Sequence, residues 1–315
     1  MTADKILNIV FIVLIAAAGF VIESSYHFQV LTFIGINTLL ALGLNMLMGY
    51  AGQISLGHGA FYGIGAYTTA ILTVNYHFSP WLALPCAIFL AVLVAFLVGL
   101  PTLKLSGYYL GMGTLGFGMI AFIIFREWDT LTGGASGFVG IPSLEIGTLS
   151  FSSGRNYFWL VWGIVILTVF LCQRLIDSRI GRALRSVHDS EKAARAVGIN
   201  TMNLKLGIFI FSAATGALAG FLYAHYISFI SPGSFDFLAS IRMVTMVVIG
   251  GMASVWGALL GASLLTMLPE WLHAFADFEM LVYGLIMMVV MILLPQGLTR
   301  GLLDMYEHAR DRYRK

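Results

Sequence analysis

The sequence predicts an all-α membrane protein, a polytopic helical bundle of about ten membrane segments with both termini in the cytoplasm. Of its 315 residues, 59% are hydrophobic and 10% are charged, whereas soluble domains carry about 25% charged residues. Several apolar runs approach or exceed the roughly 20 residues that a helix needs to cross hydrocarbon. These runs are continuous and do not alternate, which disfavours a β-barrel. We expect residues 1–315 to form a single membrane domain.

Five apolar runs in the first half of the chain predict five membrane-spanning helices. Short polar or glycine-containing turns separate them, and Pro85 falls in the first turn of the fourth run, where proline is tolerated. The first run has no small-residue cleavage site, so we expect a retained span rather than a signal peptide. The five spans cover residues 6–22, 30–48, 60–76, 81–103 and 108–125.

A polar interruption at residues 174–205 divides the second half and carries the clearest topological signal. It contains seven of the chain's 17 basic residues and only three acidic ones. Segments rich in Lys and Arg stay on the cytoplasmic side of a membrane, so we expect this one to be cytoplasmic. The sixth span (157–171) precedes it and the seventh (206–230) follows it. A loop rich in Gly and Ser (126–156) connects the fifth and sixth spans.

Residues 238–249 and 253–268 predict either one bent span or a hairpin, because Gly250 and Gly251 separate the two apolar runs. One bent span would place the basic C-terminal tail opposite the segment 174–205. The hairpin places both on one side, so that 12 of the 17 basic residues face the cytoplasm, and the positive-inside rule favours it. The two short arms could also be re-entrant. Residues 280–294 form the last predicted span.

A glycine-rich stretch, GYAGQISLGHG at residues 49–59, breaks the helical pattern between the second and third spans. Backbone freed from a helix at membrane depth needs either a cavity or buried protein around it; the alternative is a cytoplasmic turn whose polar residues face water. Polar groups in spans more often bond neighbouring helices than a substrate. With that alternative open, the candidate substrate-pathway residues are Asn45, Gln53, Ser55, His58 and Thr114.

Several kinds of chemistry have no support in the sequence. It has no phosphate-binding loop, no His-Glu-x-x-His motif and no Cys/His cluster, so we expect no enzymatic activity, no bound metal and no cofactor in this chain. Apart from residues near their ends, the predicted spans lack Asp, Glu, Lys and Arg. Such residues mark proton relays in membranes, so their absence argues against a proton-coupled transporter. A sodium site built from backbone carbonyls stays open.

A short capped helix is predicted inside the basic segment. Asp189 or Ser190 can cap residues 191–197, and Gly198 ends them. Three alanines keep this helix slim, which suits insertion into a groove on a partner. The alternative is that the basic residues only set the topology and contact lipid headgroups.

The same residues carry a resemblance. EKAARAVG (191–198) resembles the EAA-type cytoplasmic loop of ABC importer permeases, which docks onto an ATPase subunit. The wider resemblance, to the permeases of branched-chain amino-acid ABC importers, extends over nearly the whole chain, and the long loop after the fifth span resembles the larger of the two paired permeases. It rests on GLNMLMGYAGQISLGHGAFYGIGAY (43–67), TLGFG (114–118), LTGGASGFVGIP (131–142), SVHDSEKAARAVGIN (186–200), GALAGFLYAHY, SPGSF and VVIGGMASVWGALLGA.

The resemblance implies half of a translocation pore in a bacterial inner (plasma) membrane. It implies a homologous second permease, two cytoplasmic ATPases that use ATP and magnesium, a periplasmic solute-binding protein and no nucleic-acid partner. The residues expected to couple to the ATPases are Asp189, Ser190, Glu191, Ala193, Ala194, Arg195 and Gly198.

The implied substrates are branched-chain or other small amino acids. Relatives that carry urea, amides or aromatic acids are the alternative, and an ion-coupled secondary transporter is a more remote one. The chain departs from the family in having Tyr108 and Met119 where an acidic residue is common, which leaves the substrate open.

Overall fold

The computed structural model describes residues 3–147, 149–152, 154–272, 284–285, 288 and 297. Over these residues the chain is overwhelmingly helical, as predicted. The α-helices are α1 (Ala3–Val21), α2 (Ser25–Asn45), α3 (His58–Ala70), α4 (Pro80–Thr102), α5 (Tyr108–Glu127), α6 (Asp129–Thr132), α7 (Gly154–Asp177), α8 (Arg179–Asp189), α9 (Glu191–Ala196), α10 (Thr201–Ile227), α11 (Phe237–Gly250) and α12 (Val255–Leu272). Four two-residue strands are β1 (Phe138–Val139), β2 (Glu145–Ile146), β3 (Leu149–Ser150) and β4 (Phe229–Ile230).

Six helical segments of the described ranges are long and apolar enough to cross a membrane. The polytopic all-α class is therefore confirmed. A shorter apolar helix covers Leu7–Val21, and the predicted last span, 280–294, lies almost entirely outside the described residues. The six segments are Ser25–Tyr50, Pro80–Thr102, Tyr108–Glu127, Gly154–Asp177, Thr201–Ile227 and Pro232–Gly250.

Helix α10 lies at the centre of the bundle and packs against α2, α3 and α4. The helices approach closely at small residues, as expected in lipid, where no water drives them together. A Cβ on Gly65 would lie 2.2 Å from the carbonyl oxygen of Ala217, and one on Gly220 would lie 2.1 Å from that of Tyr62. Helix α4 turns a stripe of small residues inward, Ala83, Ala87, Ala91, Ala95 and Gly99.

Helices α11 and α12 form the predicted hairpin. A Cβ on Gly257 would lie 2.7 Å from the carbonyl oxygen of Gly250, and one on Gly261 would lie 1.9 Å from that of Met246. Position 257 of α12 thus meets position 250 of α11, and the later position 261 meets the earlier position 246. The two helices are therefore antiparallel. The single bent span is therefore wrong.

The two ends of the bundle are defined by different connections. We call residues 178–201 the basic end. Beside it, the start of α1 meets the end of α7, where the side chains of Asn8 and Gln173 exchange hydrogen bonds of 2.8 and 2.9 Å. At the loop end, residues 128–147 and 228–236, β1 pairs antiparallel with β4. The loop 126–156, predicted without elements, contains α6 and β1–β3, because its glycines permit the tight turns that let it fold back on itself.

The glycine-broken stretch is embedded in protein. Helix α2 continues as a π-helical turn (Met46–Tyr50), and residues 52–57 then run without helix to His58. The backbone N–H of Leu56 donates to the Thr114 hydroxyl at 3.0 Å. Gln53, Ser55 and His58 are 8%, 2% and 1% exposed. The alternative of a turn whose polar residues face water is therefore wrong.

Candidate functional site

The basic segment folds into two helices where the sequence predicted one. Ser178 caps α8, its hydroxyl oxygen accepting from the backbone N–H of Ile180 at 3.1 Å. Gly181, Leu184 and Val187 are buried against the bundle, whereas the arginines of this helix are exposed. The spacing of three residues between the buried positions is the helical signal in the sequence that could have found α8.

Helix α9 is the predicted capped helix. Ser190, rather than Asp189, is the cap, and its hydroxyl oxygen accepts from the backbone N–H of Ala193 at 3.3 Å. Asp189 is the last residue of α8. Gly198 follows with φ of +83°, a left-handed conformation that ends helices. Ala194 is buried, but Ala193 and the adjoining Val197 are exposed, Val197 to 76%.

Glu191 fastens α9 to the first turns of α10. One carboxylate oxygen accepts from Arg195 at 2.5 Å and from the Thr201 hydroxyl at 3.2 Å. The other accepts from Lys205, whose side chain is 3% exposed. We call Glu191, Arg195, Thr201 and Lys205 the α9 cluster. Thr201 and Lys205 were not predicted to belong to it, because their place depends on how α10 packs.

The α9 cluster controls the ionisation of Glu191. Burial favours the neutral acid, but the hydrogen bond and charge of Lys205, then the hydrogen bonds from Arg195 and Thr201, outweigh it. The pKa of Glu191 therefore lies below its ordinary value. The carboxylate form is the one that holds α9 in place.

Acidification is expected to release α9. Because the pKa of Glu191 is lower in the folded chain than the value of about 4.3 in unfolded chains, the cluster stabilises α9 above about pH 4.3 and loses that contribution as the pH falls through the folded value. A nitroxide spin label at Val197 should report a rigid site at pH 7 and a mobile one in acid. In Glu191→Gln the label should be mobile at both pH values; a retained transition in that variant would contradict the assignment.

The predicted substrate-pathway residues do not come together in one open space. Asn45 joins α2 to the α11–α12 turn, donating to the Ser254 carbonyl at 2.7 Å and accepting from the Ala253 backbone N–H at 3.0 Å. Thr114 also donates to the Gly111 carbonyl at 3.0 Å. These bonds are structural, so any contact of Asn45 or Thr114 with substrate stays a prediction.

Two of the candidates retain unused polar atoms inside the bundle. His58 Nδ1 lies 3.3 Å from the Ser212 hydroxyl of α10. Nε2 of His58 and Oε1 of Gln53 are buried without a hydrogen-bond partner among the described residues. Ser55 is buried on the same stretch. A substrate or water can use these atoms only if the stretch opens.

A cavity of about 920 Å³ lies near the loop end, between α2, α3, α10, α11 and α12. None of the five predicted pathway residues lines it. Its described lining includes one basic and one acidic side chain, Arg242 on α11 and Glu270 on α12, both exposed. The sequence places Arg242 near the end of a predicted span, and it was not among the predicted site residues. An arginine inside a membrane segment is a signal for function.

A family model decides the identity of the chain. The model described as the branched-chain amino acid transport system permease component matches residues 26–293. The chain belongs to this permease family. The match spans the α9 cluster and the described lining of the cavity.

Individual permeases agree with the family match. The "High-affinity branched-chain amino acid transport system permease protein LivM" of Escherichia coli K12 is 35% identical over 320 residues, covering 94% of this chain and 75% of the relative. The corresponding LivH of Salmonella typhimurium LT2 is 26% identical over 280 residues, covering 82% and 90%. A probable LivM of Methanocaldococcus jannaschii is 29% identical over 271 residues, covering 74% and 77%. No solved structure matches the chain.

Membership of this permease family establishes the class of the protein. It is a multi-pass membrane transport component and not an enzyme.

Proposed function

We propose that the chain is the transmembrane permease subunit of an ATP-driven (ABC) importer for branched-chain or other small amino acids, and that it forms half of the translocation pore. The observation that carries this proposal is the α9 cluster. An exposed helix tied by charged hydrogen bonds to a central helix is suited to receive a push from a separate ATPase. Since Lys205 is nearly fully buried, separating it from Glu191 would strand a charge in protein, so α9 and α10 move together.

The proposed path of the motion runs from α9 into the core of the bundle. Helix α10 packs against α2, α3 and α4, so tilting it moves most of the bundle. Helix α8 adds a second contact, to the π-helical turn that continues α2, with the Arg185 guanidinium 5.8 Å from the centre of the Tyr50 ring. Packed interiors do not deform continuously, which favours two discrete states, one open to each side of the membrane.

We infer ten membrane segments with both termini on the cytoplasmic side of a bacterial inner membrane. Placing the basic end in the cytoplasm agrees with the positive-inside rule. The Asn8–Gln173 bonds support a cytoplasmic start for α1. The antiparallel α11–α12 hairpin supports two separate segments between residues 237 and 272, and the tenth segment, 280–294, stays a prediction.

The proposed partners are a homologous second permease, two cytoplasmic ATPases that use ATP and magnesium, and a periplasmic solute-binding protein. Similarity to both LivM and LivH of Salmonella typhimurium supports the paired permease, and the higher identity to LivM supports the larger subunit. The loop end, with its β1–β4 pairing, is the proposed docking face for the binding protein.

Reconstitution tests this function. Proteoliposomes that contain the chain with its second permease and ATPases should accumulate leucine when both the binding protein and ATP are supplied. An ATPase variant that binds but does not hydrolyse ATP should abolish uptake. The chain alone, under an ion gradient without ATP, should not transport; transport in that preparation would favour the secondary-transporter alternative. Competition by urea, amides or phenylalanine identifies the substrate class.

A further inference from the structure

The basic and the acidic residue of the cavity, Arg242 and Glu270, lie at different depths on the antiparallel α11–α12 hairpin. The register set by Gly250 beside Gly257 and Met246 beside Gly261 places Arg242 level with Leu265, and Glu270 level with the first residue of α11. With a rise of 1.5 Å per residue, Arg242 lies about 7.5 Å deeper along the helix axes than Glu270. Neither residue takes part in an ion pair within the described part of the chain.

The cavity therefore offers a partner of opposite charge to each end of a zwitterion, since Arg242 and Glu270 both line it. A zwitterion can accept from the guanidinium and donate to the carboxylate in charge-assisted hydrogen bonds of about 2.8 Å each. A planar guanidinium binds a carboxylate with two parallel hydrogen bonds. The Tyr26 hydroxyl donates to Glu270 and thereby holds this carboxylate at the mouth of the cavity.

The deeper wall of the cavity is apolar. Leu40 of α2, Met246 of α11 and Leu265 of α12 line it, and each is buried by its neighbours. An aliphatic side chain that leaves water for this wall is stabilised in proportion to the area it buries. The volume of about 920 Å³ lies at the upper end of the range for small-molecule sites, so a single amino acid would share the space with water.

We propose that this cavity is a binding site for an α-amino acid with an apolar side chain, in which Arg242 binds the α-carboxylate and Glu270 binds the α-ammonium group. The assignment rests on the proposed function and names the residues that recognise the substrate within this subunit. It also assigns the orientation of the ligand, carboxylate deeper and ammonium nearer the loop end.

The test measures ligand binding to the complete transporter in lipid nanodiscs, without the binding protein, by scintillation proximity with radiolabelled leucine. Leucinamide, which lacks the carboxylate, and 4-methyl-2-hydroxypentanoate, which lacks the ammonium group, serve as competitors. Arg242→Gln should weaken leucine binding about ten- to a hundredfold, the range for a charged hydrogen bond, and leave competition by leucinamide unchanged. Glu270→Gln, which can still accept from Tyr26, should weaken leucine binding and leave competition by the hydroxy acid unchanged. Arg242→Lys should restore part of the affinity.

Matched controls come from the loop end outside the cavity. Arg126 and Glu127 form an exposed ion pair of 3.6 Å. The control variants Arg126→Gln and Glu127→Gln should each bind leucine with wild-type affinity. Wild-type leucine affinity in the Arg242 and Glu270 variants, or equal losses for leucine and leucinamide in Arg242→Gln, would overturn the assignment. A wild-type transporter that imports leucine without a saturable site here would overturn it too, while the proposed function stands; only absence of ATP-driven import refutes the function itself.

Discussion

Gly261→Leu is expected to abolish the folded chain. A Cβ alone at this position would lie 1.9 Å from the Met246 carbonyl oxygen and 3.0 Å from the Gly250 Cα atom. Both contacts are with backbone, which cannot rotate away as a side chain can. Inserting extra methylene groups into a well-packed core costs about 1–3 kcal/mol. Here the larger side chain would require the α11–α12 hairpin to separate. Fluorescence-detected size-exclusion chromatography of the solubilised chain should show aggregate in place of a single peak.

Gly207→Ala is the matched control for this effect. Gly207 lies in α10, and a Cβ added there would have no other group of the described residues within 4 Å, so alanine should improve the helix by about 0.5–1 kcal/mol. Gly261→Ala should already lower the melting temperature, because the clash requires only the Cβ. If Gly261→Ala and Gly207→Ala had equal melting temperatures, the close approach of α11 and α12 would be wrong.

Breaking the α9 cluster is expected to uncouple transport from ATP hydrolysis. Glu191→Gln leaves the buried ammonium of Lys205 without its carboxylate, a loss of about 2–3 kcal/mol. The ratio of docked to detached α9 then falls by about 30- to 150-fold. Combining Glu191→Gln with Arg195→Glu reverses the charge that faces the same site. In proteoliposomes, ATP-driven uptake should fall at least about tenfold. Capture of the loaded binding protein should persist, because its proposed docking face is at the loop end.

Lys104→Gln provides the comparison for charge alone. Lys104 is exposed in the turn between α4 and α5 and lies outside the α9 cluster. ATP-driven uptake by the Lys104→Gln variant should therefore equal that of the wild type. Normal uptake in the Glu191→Gln and Arg195→Glu double variant would remove α9 as the mechanical link. A simultaneous loss of binding-protein capture would show instead that the whole chain had misfolded.

The site was only partly predictable from the sequence. Ser190 and Gly198 identify the bounds of α9 because capping and helix termination depend on residues within a few positions of each other. Lys205, by contrast, meets Glu191 across 14 positions, and no local rule connects them. Arg242 and Glu270 are both visible as charged residues in an apolar region, but the cavity that they share exists only after α11 and α12 pack.

The sequence by itself determined the membrane class and the choice of a hairpin over a bent span, whereas the cytoplasmic placement of the basic segment stays a prediction. These follow from hydrophobic length and from the distribution of charge along the chain, which are one-dimensional properties. The tertiary structure decided that the polar side chains Gln53, Ser55 and His58 are buried and that Asn45 holds the α11–α12 turn. It also decided that the five predicted pathway residues do not line the cavity. Those outcomes depend on the register in which helices pack. In lipid this register is set by where small residues let two backbones meet.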